Sequence, residues 1–270
     1  MTAQTATDKV LSFPATTQTQ GFLVTPQSAG ATIASYTLVY DVLLPSAGAG
    51  SYLSLLQTDP ANGNDGDLFA KVDGDAFGIG ISSVYDGSAT LDAWHRVAVT
   101  VEAGPSETVL KKYIDGTLVG TQTVTGANAA RFTIDAVQGF RIFSDEDGEV
   151  FGGHLGSFLF ADRALGQAEV EGLGSAVAGG VSATAIAGAT QFDFDGESFA
   201  ATFGDATMAA VGLTPLFQTP ADAGIPAVPA TQPGPDPVGV VAPIKDMMVT
   251  PDTETRSEEH TSELQSHSFI

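Results

Sequence analysis

Residues 94–120, WHRVAVTVEAGPSETVLKKYIDGTLVG, decide the fold. Val97, Val99 and Val101 alternate with Ala98, Thr100 and Glu102, the period-two pattern of a half-buried strand with one apolar and one mostly polar face. Gly104-Pro105-Ser106 breaks the run. Residues 109–114 resume it, and Asp115-Gly116 supplies the positive φ angles of a tight turn. The stretch predicts two long antiparallel strands.

Outward from this hairpin the pattern stays β. Residues 10–13 and 21–25 predict short strands, 36–44 a long one ending at Pro45, and 52–57, 68–72 and 77–85 three more, divided by the polar loop 58–67 and a Gly-Asp turn. Beyond the hairpin, 131–134, 140–144 and 156–160 predict strands. Residues 165–173 predict a short surface helix stopped by Gly172 and Gly174. The spacing of runs and turns is that of an all-β sandwich or barrel.

The wording of the hairpin is more specific than its pattern. Trp94-His95-Arg96-Val97-Ala98, followed about twenty residues later by Tyr113-Ile114-Asp115-Gly116, resembles the central hairpin of laminin-G-like, concanavalin A-like jelly rolls. Residues 151–172, FGGHLGSFLFADRALGQAEVEG, resemble that family's last core strand and the helix after it. The resemblance implies an all-β, two-sheet antiparallel jelly-roll sandwich over residues 1–178. It also implies a non-catalytic ligand-binding or adhesion module of a larger bacterial extracellular protein, with a glycan or cell-surface ligand and neighbouring domains as partners. Modules of this wording occur as well as accessory domains of secreted hydrolases, phosphoesterases among them. Fold alone decides none of this.

After residue 178 the composition changes. Residues 179–214 read as a small-residue linker plus a hairpin, 191–208, that either docks on the jelly roll or starts a further unit. Residues 215–242, rich in Pro, Ala and Gly, read as an extended linker. Residues 243–255 resemble the opening strand of an immunoglobulin-like or cadherin-like domain. Residues 256–267, RSEEHTSELQSH, are the translation of a common short-read sequencing adapter, so 256–270 are set aside as an artefact and the natural protein is expected to continue past Thr255.

The formal charge is −22, from 10 Lys plus Arg against 32 Asp plus Glu, which argues against nucleic acid or an anionic membrane surface as partner. No Cys is present, so disulfides and thiolate chemistry are excluded. No run approaches membrane-spanning length, and the first 14 residues lack the basic and apolar regions of a secretory signal. The secreted or cell-surface placement expected from the family therefore needs a signal upstream of this fragment.

Two acidic loops are the candidate site. Residues 59–67, DPANGNDGD, offer Asp59, Asn62, Asn64, Asp65 and Asp67, and residues 145–149, DEDGE, offer Asp145, Glu146, Asp147 and Glu149. Calcium takes six to eight oxygen ligands from carboxylates, amides and carbonyls on sharply turning loops, and neither loop has EF-hand spacing. The two resemble in order and context the calcium-binding segments of pentraxins, which share this fold. The resemblance implies calcium held by Asp65 and Asp67 on one side and Glu146, Asp147 and Glu149 on the other, with Asp59 and Asn64 of the first loop as further candidate metal ligands. The first loop is longer here and an acid replaces that family's glutamine. Solvated acidic turns are the other reading. A glycoside hydrolase using residues 145–149 would need two carboxyls about 5–5.5 Å apart, whereas Cα atoms two apart on a strand are separated by about 6.6 Å. Trp94 reads as core and not as part of a cleft. His95 and His154 read as ordinary strand residues, and the glycines as turns.

Overall fold

The computed structural model describes residues 9–17, 20–28, 30–61, 66–182 and 185–231. Asn62, Asn64 and Asp65, the expected immunoglobulin-like strand at 243–255 and the adapter-like 256–270 lie outside the described residues. The described strands in chain order begin with β1 (Val10–Phe13), β2 (Gly21–Thr25), β3 (Thr32–Ile33), β4 (Ser35–Leu43), β5 (Tyr52–Gln57), β6 (Asp67–Asp73), β7 (Ala76–Ile81) and β8 (Val84–Thr90). Then come β9 (Trp94–Ala103), β10 (Glu107–Ile114), β11 (Thr117–Thr125), β12 (Ile134–Asp135), β13 (Phe140–Ile142) and β14 (Gly153–Ala161). The last are β15 (Ala189–Asp193), β16 (Ala201–Phe203), β17 (Thr207–Val211) and β18 (Leu216–Gln218), with short helices α1 (Gln167–Glu171) and α2 (Pro220–Ala223).

Two antiparallel sheets face each other. The first runs β11-β10-β9-β4-β14-β1-β18, with β15 and β16 added beside β14; the second runs β17-β2-β13-β5-β6-β7-β8. The strand at 94–103 is at the heart of the first sheet, between β4 and β10. Val97, Val99 and Val101 are fully buried in the main core, against Leu68, Phe77 and Ile79 of the second sheet and their neighbours.

The other face of β9 is also buried. Ala98 is 2% and Thr100 3% exposed, where the alternation predicted a mostly polar face. Leu165, Val170, Leu173, Val181 and Ile186, from α1 and the chain on either side of it, form a second apolar layer over Ala98, Val39 and Tyr113. In that layer Arg96 makes a bidentate pair with Asp41, Nε–Oδ1 and Nη2–Oδ2 both 2.7 Å, and both residues are about 98% buried. Ser157 donates to the same carboxylate at 3.0 Å, and Arg96 donates to the Leu173 carbonyl. Charges this far from water persist only when paired and hydrogen-bonded.

Three further differences have local causes. The expected single strand at 77–85 is two, because Ser82 and Ser83 turn the chain with φ of 48° and 69°, the left-handed geometry that hairpins ordinarily take from Asn or Gly. Residues 126–132 form a 3₁₀ turn where a strand at 131–134 was expected. Residues 215–231, expected to be extended linker, supply β18, which pairs with β1, and α2, capped by the Thr219 hydroxyl. The chain then crosses Trp94, whose indole N–H donates to the Pro226 carbonyl at 2.8 Å, and Val228 packs on Trp94, Val10 and Leu43. Within 191–208, β15 and β16 form the expected antiparallel hairpin, which docks on the first sheet through β14, and β17 after it pairs with β2 of the second. The described residues belong to one compact unit.

Candidate functional site

The outer face of the second sheet, turned away from the first, carries the loop at 145–149 and a group of aromatics. Along β6 the residues alternate, with Leu68 and Ala70 in the core and Asp67, Phe69 and Lys71 half-buried on the outer face. Tyr52 of β5 lies opposite Lys71, and Phe69 and Tyr85 of β8 flank Gly80 of β7 in one row. Strands β5 and β8 are three spacings apart, about 14 Å in a flat sheet, yet the rings of Tyr52 and Tyr85 are 5.9 Å apart. They lean over the strands between them. Phe69 meets Tyr52 edge-on at 6.1 Å, and the Lys71 ammonium stands 5.5 and 6.0 Å from the centres of Tyr85 and Tyr52. β7 has Gly78 and Gly80 beneath this cluster; a Cβ on Gly80 would collide with the Val84 carbonyl. The Ser54 N–H on β5, two residues from Tyr52, donates to the Glu149 carbonyl at 2.9 Å, so the acidic loop ends beside the aromatics, and burial, then Tyr52 and the Glu149 charge, push the Tyr85 hydroxyl up to about 12.

The loop at 145–149 leaves Phe143, whose backbone is left-handed at φ 52°, a conformation uncommon for so bulky a residue. Phe143 is held there on every side. Its ring stacks on Phe13 at 4.0 Å, its N–H donates to the Ser54 carbonyl, and its carbonyl accepts from the Thr16 hydroxyl. Asp145 then turns inward and organises the loop: one carboxylate oxygen accepts the N–H groups of Asp147 and Glu149 at 2.9 and 3.0 Å, the other the Gln57 amide at 2.9 Å. Burial, opposed by those N–H groups and helped by Glu146 and Asp147, raises the Asp145 carboxyl above its ordinary range. Glu149 is raised by burial and then by Asp145, Asp147 and Glu146. The loop gathers more negative charge than it neutralises.

Of the expected ligands, Glu146, Asp147 and Glu149 share this loop, with Asp147 exposed and the other two half-buried. Asp59 and Asp67 flank the far end of β5, where Asp67 is the register partner of Gln57, and Asp59 exerts its charge on Arg141. Among the described residues no three acidic or histidine side chains are already gathered around one metal position. The oxygen donors are nonetheless of the kind calcium takes. Gln57, fully buried, leaves its side-chain oxygen without a partner while its amide group bonds Asp145 and Glu146. Residues 145–149 form a turn, and Asp145 faces inward while Asp147 is exposed, so these acids do not line one strand face as a hydrolase pair would require.

Tyr52, Phe69, Lys71 and Tyr85 are the residues that reading the sequence missed. The signal available was the outward set Asp67, Phe69, Lys71 within an alternating strand. The histidines of the described residues have structural partners: His95 bridges Asp115 at 2.6 Å and Thr90 at 3.2 Å, and His154 bonds Ser12 at 2.8 Å.

The family model described as the concanavalin A-like lectin/glucanases superfamily, a laminin G family, matches residues 2–171. The chain belongs to this family. No curated protein matches the sequence. Among solved structures, the laminin G domain is similar to a Bacteroides ovatus protein assigned to carbohydrate binding, at 14% identity and TM-score 0.53, covering 83% of this chain and 61% of that one. It is also similar to a heptameric SAP-like pentraxin from Limulus polyphemus, at 18% identity and TM-score 0.46, covering 78% and 98%. A third is the carbohydrate-binding module CBM40 of a Ruminococcus gnavus IT-sialidase, bound to α2,3-sialyllactose, at 14% identity and TM-score 0.36, covering 60% and 97%. At these identities the likeness is one of fold. The laminin G domain has no described helix long and apolar enough to cross a membrane.

Proposed function

We propose that the laminin G domain is a non-catalytic carbohydrate-binding module of an extracellular protein, and that it takes its saccharide on the outer face of the second sheet. The observation that carries this is the half-exposed cluster of Tyr52, Phe69 and Tyr85 on a sheet whose other face is core. An aromatic ring gives a flat apolar surface to the C–H face of a sugar, while Tyr hydroxyls and nearby carboxylates accept from its hydroxyls. The carbohydrate-binding assignment of the Bacteroides ovatus protein supports the same ligand class.

In this reading calcium is bound beside the aromatics. Glu146, Asp147 and Glu149, with the unpartnered Gln57 oxygen, would hold it, and Asp59, Asn64, Asp65 and Asp67 would supply ligands from the other loop. The bound ion would offset the charge of the loop and accept sugar hydroxyls as ligands. The chain's own part is to fix the loop through Asp145 and to hold the rings over Gly78 and Gly80. The inward placement of Asp145 supports a binding role over hydrolysis.

The test is a saccharide array followed by calorimetry on wild type, Tyr52→Ala and Tyr85→Ala. Wild type is expected to retain saccharides without cleaving them, and each substitution to weaken binding about tenfold or more, or about 1.4 kcal/mol. Undiminished binding by a folded Tyr52→Ala/Tyr85→Ala double variant would sink the proposal.

A further inference from the structure

Lys71 stands out by its place, with its ammonium over the rings of Tyr52 and Tyr85. Of the other lysines of the described residues, Lys112 is bound to Asp86 at 2.5 Å and Lys9 to Glu197, whereas the half-buried Lys111, on β10, forms no ion pair. Arg96 and Arg163 are paired with Asp41 and Glu169. Lys71 is half-buried, and among the described residues it forms no ion pair, although the chain carries 32 Asp plus Glu against 10 Lys plus Arg. Its ammonium lies against two tyrosine rings instead.

That ammonium opens on a groove of about 280 Å³ lined by Lys71, Asp73, Gly78, Ser83, Tyr85 and Ser88 among others. Gly78 stands opposite Lys71 in the register, so the floor beside the ammonium has no side chain. One wall is the Tyr85 ring, and Ser83 and Ser88 bring hydroxyls. Asp73 stands two residues along β6, at its exposed end. An aromatic wall, small polar lining and one unneutralised cation match a sugar ring that carries an anion.

We infer that this groove is a subsite for an anionic saccharide, a sugar bearing a carboxylate or a sulfate ester, with Lys71 as the residue that selects the charge. The inference rests on the proposed saccharide-binding face and adds the ligand class. Tyr85 stacks on the ring, Lys71 meets the anion, and the serine hydroxyls bond the remaining oxygens. The acidic field of Glu149 and Asp73 then works against weakly charged or misplaced anions, so selection depends on an anion seated at Lys71 itself.

The experiment measures binding of three probes to the whole chain by calorimetry at low and moderate salt: an oligogalacturonate, its fully methyl-esterified counterpart, and a sulfated galactan oligosaccharide. They are compared on wild type, Lys71→Gln and Tyr85→Ala. Expected is at least a tenfold preference of wild type for the carboxylated or the sulfated probe over the neutral ester, weakening with salt. Lys71→Gln is expected to bring the charged-to-neutral preference below about twofold, read as the ratio within that variant, and Tyr85→Ala to weaken all three. A preference for carboxylate over sulfate, or the reverse, identifies which anion the groove takes. Equal or better binding of the neutral ester by wild type, or a preference untouched in Lys71→Gln, overturns the inference while leaving the saccharide-binding reading standing. No binding of these probes or of any arrayed saccharide overturns both.

Discussion

The charge balance of the loop at 145–149 makes calcium a measurable question. Asp145 and Glu149 both have carboxyls raised above their ordinary range, by burial first; Glu146 and Asp147 add to both, and Asp145 adds to Glu149. A carboxyl raised in the folded state favours folding below its unfolded pKa, and that contribution is lost as pH rises through the folded value. Once ionised, these carboxylates are poorly solvated and crowded by their acidic neighbours, so the loop works against stability, and a cation that binds only the folded loop reverses this. At a hundredfold excess of calcium over its dissociation constant the gain is about 2.7 kcal/mol. For a domain of this size, at about 2–4 °C per kcal/mol, the melting temperature should rise by roughly 5–11 °C. The assay is calorimetric melting in millimolar calcium against chelator. The rise should shrink toward pH 5, where protons compete for the same oxygens. Glu149→Gln should melt higher than wild type in chelator and gain less from calcium. Superimposable wild-type curves in calcium and chelator would refute the calcium reading, leaving the acids as solvated turns.

Other consequences are checked on the same protein. Arg96→Met leaves the Asp41 carboxylate buried with only Ser157 as a donor and should cost about 3–5 kcal/mol in urea unfolding; a loss below about 1 kcal/mol would show that the pair does not hold the sheet. Gly120 lies where a Cβ would collide with the Asp86 carboxylate. Gly120→Ala should therefore displace the partner of the fully buried Lys112, costing about 2 kcal/mol or more, and wild-type stability would contradict the geometry. Trp94 is the only tryptophan in the chain and is 8% exposed beneath the crossing at Pro226 and Val228. Ending the chain after Gln218 should shift its fluorescence to the red, and unchanged emission would show that the crossing is not what shields it.

The strands were legible because alternation on β6, β7 and β9 follows directly from which face meets the core. What alternation could not show was the second cover. Ala98 and Thr100 look like a solvated face until α1 and the chain after it close over them. The turn at Ser82-Ser83 escaped because serine carries no strong preference for left-handed backbone, so Tyr85 was read at the end of a strand instead of the start of the next. The proposed site is hidden for the same reason: Tyr52, Phe69 and Tyr85 come from three strands, and only the register over Gly78 and Gly80 brings them together. The acidic loop was visible as composition, but the inward turn of Asp145 depends on bonds to Gln57, far away in sequence.

The left-handed backbone at Phe143 bears on how tightly an ion or a sugar could be held. A residue in that region costs on the order of 1–3 kcal/mol and persists only where its surroundings insist on it; here a stacked phenyl ring and two backbone hydrogen bonds do so. That cost is met during folding. The acidic segment that follows is thus set before any ligand arrives, and binding need not also freeze a wandering loop. Phe143 acts as a latch that exchanges a little fold stability for a smaller entropic penalty at the surface. A smaller residue there should leave the acids in place on average and loosen their hold on whatever they bind.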